Sequence, residues 1–429
     1  MPVNLQFMHP RDQLVIIMSR IYYNGMTTLS GGNLSILDDN GDIWITPSAV
    51  DKGNLTPEDI ICVHPDGSME GPHRPSSELP FHRAIYKSRP DFRAVVHAHA
   101  PALVSYSIVR KIPDTRIIPQ ANRVCAPVGY APYALPGSEK LGENIAATFA
   151  QGYNIVILEN HGVATGGENL LTAFQRLETL DFCARTLIKA EALGEVKMLS
   201  EEQLELFDRR KYMLPEFKLE GHSSYELDLR KQIVQIVHRS CDRYLMISTE
   251  GVVSARVDEK SFLITPTGVD RRGVSETDLV LIKDEHREAG KYPSRSVKLH
   301  QAIYDNHPDI HCIIMAQSPN IVAFAVTSVQ FDSKTIPESY IMLVDVPTVP
   351  FEMLYLQPEE VAQNVSSRTP LLVVENDCVL AVGGSVMQAF DRLEVAEFSA
   401  KALLDTHAIG TLVPINPQQV EELQEKFLS

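Results

Sequence analysis

From Leu170 onward the apolar residues Leu170, Phe174, Leu177, Leu180, Ala184 and Leu187 step by threes and fours, the period of a helix with one buried face. The spacing predicts an amphipathic helix packed on a sheet. His9 to Gly25 reads as an opening helix closed by its glycine, and Ser76 and Ser77 next to Glu78 mark the start of a second helix through LPFHRAIYKS. AVVHAHA (94–100) and NIVILEN (154–160) are apolar runs of strand length, and GDIWITPS (41–48) reads as a strand ending in a turn. LTPEDIICVHPDG (55–67) predicts a short helical turn, a strand and an Asp-Gly turn. Strands mixed with helices predict an α/β architecture, each domain a sheet covered by helices.

The pattern occurs twice. Trp44 to Val63 (WITPSAVDKGNLTPEDIICV) returns as Leu263 to Ile282 (LITPTGVDRRGVSETDLVLI), Pro75 to Asp91 as Pro293 to Asp309, and Ala173 to Ile188 as Ala389 to Leu404. The offsets are 219, 218 and 216 residues, so two homologous domains stand in tandem. Their expected bounds are residues 1–210 and 224–429, with a charged, irregular seam around Phe207 to Ser223.

Composition narrows the function. A length of 429 residues suits two domains with cores of their own. The net charge of −16 disfavours nucleic acid and anionic membrane surfaces as partners, and no apolar run of membrane-spanning length occurs. The six cysteines, Cys62, Cys125, Cys183, Cys241, Cys312 and Cys378, are widely spaced with no CxxC pair. Buried free thiols are expected rather than zinc knuckles or redox pairs. The first residues carry no pattern of a targeting signal, and a cytoplasmic location is expected.

On a strand, His97 and His99 of AVVHAHAP point the same way and can share one cation, while Ala98 faces the other side. Two core histidines satisfied by hydrogen bonds are the alternative. His161 in LENHG follows an apolar strand and adds a third imidazole, and three imidazoles with a vacant position suit a catalytic metal. The duplication provides a comparison: Met315, Gln317 and Asp377 stand at the three matching positions, and Ser296 stands where the first copy has Glu78. Joint replacement within an alignable scaffold assigns the four residues to one function of the first copy, with Glu78 a general acid/base beside the metal. Its structural alternative is a favourable charge at a helix start. SGGNLS (30–35), with Gly32 and Asn33, TPSA (46–49), with Ser48 and Ala49, and PSS (75–77), with Ser76 and Ser77, offer amides and hydroxyls to an anionic substrate.

In this order and spacing SGGNLS, TPSAVDKGNLTPEDI, RPSSELPFHRAIY, AVVHAHAP and LENHG resemble the class II aldolase/adducin family over residues 9 to 200, and more loosely over about 228 to 405. The resemblance implies an α/β/α sandwich around a largely antiparallel sheet. It implies Zn2+ or another divalent transition metal on His97, His99 and His161, and Glu78 as acid/base. It further implies phosphate contacts at Asn33, Ser48, Ser76 and Ser77, with Gly32 and Ala49 beside them as further phosphate-binding candidates. Two departures are visible. Ala49 stands where the aldolases commonly carry glycine, and no tyrosine lies near Arg116 to Ile118, where fuculose-phosphate aldolases place a catalytic one. The expected activity is retro-aldol cleavage of a ketose phosphate through a zinc-stabilised enediolate. Epimerisation or decarboxylation of a sugar phosphate by the same chemistry, a sugar-phosphate sensor, and an adducin-like interaction protein are the alternatives. The second copy, with Val252 where the first has Asn33 and without the metal ligands and acid/base residue, is expected to be non-catalytic. A homo-oligomer is expected, with two chains building the pseudo-tetramer that four single-domain chains build in relatives.

Overall fold

The computed structural model describes residues 5–209 and 213–428. The outer bounds of the expected domains, at residues 1 and 429, and the seam positions 210–212 lie outside the described residues.

The first sheet contains β1 (Asn33–Leu37), β2 (Ile43–Ile45), β3 (Ile61–Val63), β4 (Met69–Glu70), β5 (Ala94–Ala98), β6 (Val128–Ala131), β7 (Ile155–Leu158) and β8 (Gly162–Gly167), ordered β4-β3-β2-β1-β5-β8-β7-β6. All neighbours are antiparallel except β6 and β7. The second sheet contains β9 (Glu216–Phe217), β10 (Val252–Asp258), β11 (Ser261–Ile264), β12 (Val280–Lys283), β13 (His286–Glu288), β14 (Cys312–Ala316), β15 (Thr348–Val349), β16 (Leu371–Val374) and β17 (Val379–Gly383). Its order, β15-β16-β17-β14-β10-β11-β12-β13-β9, repeats the first sheet strand for strand and adds β9 at one edge. Matching residues share a register: Asn33 pairs with His97 as Val252 pairs with Met315. The duplication read from the sequence is therefore a duplication of topology.

Helices cover both faces of each sheet. In the first copy, Leu79–Ser88 and Glu139–Phe149 bring Leu79, Phe81, Ile85, Leu141, Ile145 and Phe149 onto Ile45, Ile61, Val95 and Val156. On the opposite face Pro10–Tyr23 buries Leu14, Ile17, Met18 and Ile21, and the helix Leu170–Leu193 lies against β8, where the Thr165 hydroxyl donates to the Ala173 carbonyl at 2.7 Å. Burying side chains of this size contributes about 1.5–3 kcal/mol each, so the two apolar faces, rather than local propensity, hold the helices in place. In the second copy Val297–Asn306 and Pro358–Gln363 flank one face, and Ser224–Asp242 and Val386–Thr406 the other. All six cysteines are buried and free, as their spacing predicts. Among the described residues no helix is long and apolar enough to cross a membrane.

The compact units do not divide at the compositional seam. One unit contains the first copy through Thr115 and Gln120 to Arg185; the other contains Arg116–Pro119 and the described residues from Thr186 onward. The physical reason lies in the second unit's core. Leu199, Phe207 and Leu214 are buried in it, Phe207 stacks edge-on to Tyr355 at 6.2 Å, and β9 pairs with β13. Arg116–Pro119 is held in the same unit, through the Leu199 amide donating to the Arg116 carbonyl at 2.9 Å and the Asn376 side chain donating to the Ile117 carbonyl at 2.9 Å.

Candidate active site

His97 lies on the central strand β5, fully buried, and His99 stands just past the strand end. The sequence reading placed both on the strand; the chain leaves it at Ala98, yet the two rings still converge, with Nε2 atoms 3.0 Å apart. His161 sits in the tight turn between β7 and β8, after Asn160 in a left-handed conformation at φ 54°. The second copy repeats that turn with Asn376 at φ 50° ahead of Asp377. The three ring centroids are 4.8, 4.8 and 5.0 Å apart, and one nitrogen from each ring falls within 4.8 Å of the others.

Backbone packing requires glycine here. A Cβ on Gly32, at φ 67°, would meet the His97 carbonyl at 2.7 Å, and one on Gly162 would meet the Ala98 carbonyl at 2.5 Å.

Glu78 caps the helix Leu79–Ser88 and is buried. Its Oε2 is 3.3 Å from His97 Nε2 and its Oε1 is 3.5 Å from His161 Nε2. The His97 Nδ1–H donates to the Val163 carbonyl at 2.9 Å, which leaves the Nε2 lone pair facing the centre. Burial, then the neighbouring imidazoles, pushes His97 well below its ordinary pKa, and burial likewise lowers His99 and His161. A neutral ring carries one N–H and one lone pair; His97 turns its lone pair toward a buried carboxylate, and His161 Nδ1 is buried without a partner. Electron-rich groups collected away from water call for a cation. The donor set, imidazoles with a carboxylate alongside, is the chemistry of a divalent transition-metal site.

A second grouping, Asp42, Cys62 and His64, also meets the distance requirement for a metal. There, however, Asp42 and Glu70 approach the two ring nitrogens at 2.9 and 3.3 Å and raise the His64 pKa. That arrangement favours the protonated ring between two carboxylates, the reverse of the His97 group.

The remaining site residues flank the histidines. Pro47 bridges Pro75, the Ser48 amide donates to the Arg74 carbonyl at 2.9 Å, and the Ser76 amide donates to the Thr46 carbonyl at 3.2 Å. These bonds bring the TPSA turn and the PSS segment side by side. Ser76 is buried and its hydroxyl accepts from the Glu78 amide at 3.2 Å. Ser77 and Ala49 are exposed and Ser48 is half-buried. Among the described residues no hydrogen bond joins the Ser48 or Ser77 side chain to the histidines or to Glu78. Asn33 is buried, with its amide engaged at both ends: Nδ2 donates to Glu78 Oε2 at 2.7 Å, and Oδ1 accepts from His82 Nε2 at 2.5 Å.

Ala49 adopts φ 56°, and its counterpart Gly268 adopts φ 70°. The turn keeps its left-handed geometry, so Ala49 bears steric strain that glycine does not. Ala49→Gly is expected to raise stability by about 1 kcal/mol; a urea titration showing no gain would refute the strain.

Sequence reading passed over a clamp behind Asn33. His82 Nδ1 lies 2.6 Å from Ser35 Oγ, which lies 2.7 Å from the Tyr86 hydroxyl, and all three residues are buried. Its signal was present: a Ser on the first strand and a His and Tyr four apart occur in both copies, as Ser254, His300 and Tyr304 do in the second, with the same 2.6 and 2.7 Å distances. Lys52 was also missed. It is buried, its ammonium donates to the Pro47 carbonyl, and burial lowers its pKa to about 8. Arg271 likewise donates to the Pro266 carbonyl, at 3.1 Å, so a buried cation braces this turn in each copy.

Burial lowers the His82 pKa to about 3, whereas an unfolded chain protonates histidine near its ordinary value of 6.5. The unfolded state therefore binds the extra proton first, and stability present above pH 6.5 is lost as pH falls toward the folded value. From this residue alone, acidification from pH 7.5 to 5 is expected to cost about 2 kcal/mol, measured by urea unfolding at the two pH values. A stability independent of pH across that range would contradict it.

A mixed sheet carrying three converging imidazoles and a buried carboxylate forms a candidate metal site with an acidic side chain beside it. The chain belongs to the Class II Aldolase and Adducin N-terminal domain family, whose sequence profile matches residues 12–188 and 231–404, one match in each copy. It is 31% identical over 209 residues to the 5-deoxy-D-ribulose 1-phosphate aldolase of Bacillus thuringiensis serovar kurstaki, covering 46% of this chain and 92% of that protein. It is 34% identical over 193 residues to the 3-oxo-tetronate 4-phosphate decarboxylase of Pectobacterium atrosepticum, covering 44% and 86%. An L-fuculose phosphate aldolase of Methanococcus maripaludis is 33% identical over 174 residues, covering 40% of this chain and 93% of that one.

Proposed function

We propose that the first copy is a metal-dependent carbon–carbon lyase that cleaves a ketose phosphate by retro-aldol chemistry, and that the second copy is non-catalytic. The observation that carries this reading is the convergence of His97, His99 and His161 beside buried Glu78, opposite Met315, Gln317, Asp377 and Ser296 in the second copy. His97, His99 and His161 would hold a divalent ion, with zinc the best fit to three imidazoles. When bound, such an ion polarises a substrate carbonyl and stabilises negative charge developing beside it.

The chain's own residues supply the rest. In cleavage the hydroxyl on the far side of the breaking bond gives up its proton and becomes the aldehyde oxygen, while the bond's electron pair passes to the carbon beside the carbonyl. Glu78, placed at the centre, takes up a proton as a carboxylate and returns it to that carbon. Gly32, Ser48, Ala49, Ser76 and Ser77 border the place for the phosphate, where amides at a helix start and hydroxyls favour an anion. Asn33 stands between that border and Glu78. A dimer of chains is the expected assembly, and a strictly monomeric, fully active chain in sedimentation would refute it.

A second reading has support of its own in the relative named 3-oxo-tetronate 4-phosphate decarboxylase. Loss of carbon dioxide from a 3-oxo acid leaves the same kind of electron pair beside a carbonyl, and the same protonation by Glu78 completes it. The experiment is a screen of ketose phosphates and sugar-acid phosphates for release of dihydroxyacetone phosphate or carbon dioxide. Turnover of the first group supports the lyase and of the second the decarboxylase. Turnover of neither, by protein carrying its metal, refutes both.

A further inference from the structure

We propose that His82 is a positioning residue for proton transfer by Glu78, acting through Asn33; the proposal rests on the reading of Glu78 as the acid/base. The side chains form one unbranched run, Glu78, Asn33, His82, Ser35 and Tyr86, with spacings of 2.7, 2.5, 2.6 and 2.7 Å. All five are buried, so water does not substitute for a missing partner.

The direction of every bond follows from its neighbour. An ionised carboxylate only accepts, so Asn33 turns its Nδ2 toward Glu78 and its Oδ1 toward His82. An amide oxygen only accepts, so His82 carries its proton on Nε2. Burial keeps the ring neutral, so Nδ1 accepts from the Ser35 hydroxyl, and Ser35 accepts from Tyr86. A single pattern satisfies the run, and it permits one orientation of the Asn33 amide. Without the His82 Nε2–H, Asn33 Oδ1 is buried with no donor, and the amide is no longer fixed from behind. Its hold on Glu78 Oε2, the oxygen 3.3 Å from His97, then loosens.

The second copy separates this role from simple architecture. Ser254, His300 and Tyr304 reproduce the lower part of the run at the same distances. Val252 occupies the Asn33 position, paired with Met315 as Asn33 is with His97. The Ser-His-Tyr clamp thus docks a helix on a sheet in both copies, and in the first copy Asn33, replaced by Val252 in the second, extends it to a carboxylate.

The test uses that internal control. His82→Phe and His300→Phe each break one clamp in the full-length, metal-loaded chain. The readout is deuterium incorporation from D2O into dihydroxyacetone phosphate, followed by proton NMR, together with KM, metal content and thermal stability. His82→Phe is expected to lower kcat for exchange by about 10- to 100-fold with KM changed by less than about threefold and metal content unchanged. His300→Phe should exchange like wild type despite a comparable loss of stability. His82→Gln, whose amide can donate to Asn33 Oδ1, should recover most of the rate. If His82→Phe does not fold, Ser35→Ala against Ser254→Ala reads the same difference through loss of the hydroxyl that sets the tautomer. Equal rates in the two members of a pair, or a His82→Gln rate as low as that of His82→Phe, would overturn the positioning role and leave Glu78 as acid/base standing. Absence of exchange in the wild-type chain would overturn the Glu78 reading and this inference together.

Discussion

Glu78→Gln is expected to lower turnover by about 100- to 10,000-fold while the protein keeps its fold and its metal. Glutamine has the same shape, and its side-chain oxygen can still accept from Asn33 Nδ2, now 2.7 Å from Oε2. What it lacks is a proton that can be given and taken back. The substitution also removes a negative charge from a buried place, so stability should change little or rise. Rates are to be measured with whichever phosphate the screen identifies, alongside metal content and a thermal melt. A Glu78→Gln protein working at the wild-type rate would remove the carboxylate from the reaction.

The second large effect is expected at the metal. His97→Ala should reduce bound metal from about one ion per chain to near zero, because two imidazoles hold an ion far less well than three. Activity should go with it. His97 is fully buried and its Nδ1–H bonds the Val163 carbonyl, so truncation leaves both a cavity and an unpaired carbonyl, at a cost of about 2–4 kcal/mol. His99 is less buried, and His99→Ala should lose the same metal at a smaller cost in stability. Elemental analysis of protein purified without added metal, with chemical unfolding, separates the two effects. Metal retained at the wild-type level in either variant would sink the three-imidazole site.

The residues that converge were legible because their chemistry is narrow and the duplication supplied a control. His97, His99, His161 and Glu78 stand out against Met315, Gln317, Asp377 and Ser296, and the structure gathers all four. His99 shows the limit of the strand argument: alternation put both rings on one face, yet the strand ends at Ala98 and His99 reaches the site from beyond it. The seam shows another. Charged residues around Phe207 suggested a linker, but Phe207 and Leu214 are buried in the second unit's core, since two apolar side chains in a polar stretch suffice to dock it. His82, Ser35 and Tyr86 went unread because each suits an ordinary helix or strand position, and only their shared presence in both copies distinguished them.

The sequence by itself determined that the fold is duplicated and which copy carries the three histidines and the glutamate, because both facts reside in residue identity and spacing. The tertiary structure alone decided that the three imidazoles converge with the His97 lone pair inward, that Asn33 holds Glu78 rather than standing open, and that the seam belongs to the second unit. The physical reason is the same in each case. Asn33, the Glu78–His82 turn, His97 and His161 come from separate segments of the chain, and strand register and helix docking set the direction of a hydrogen bond between them. Local patterns of polar and apolar residues do not encode that direction.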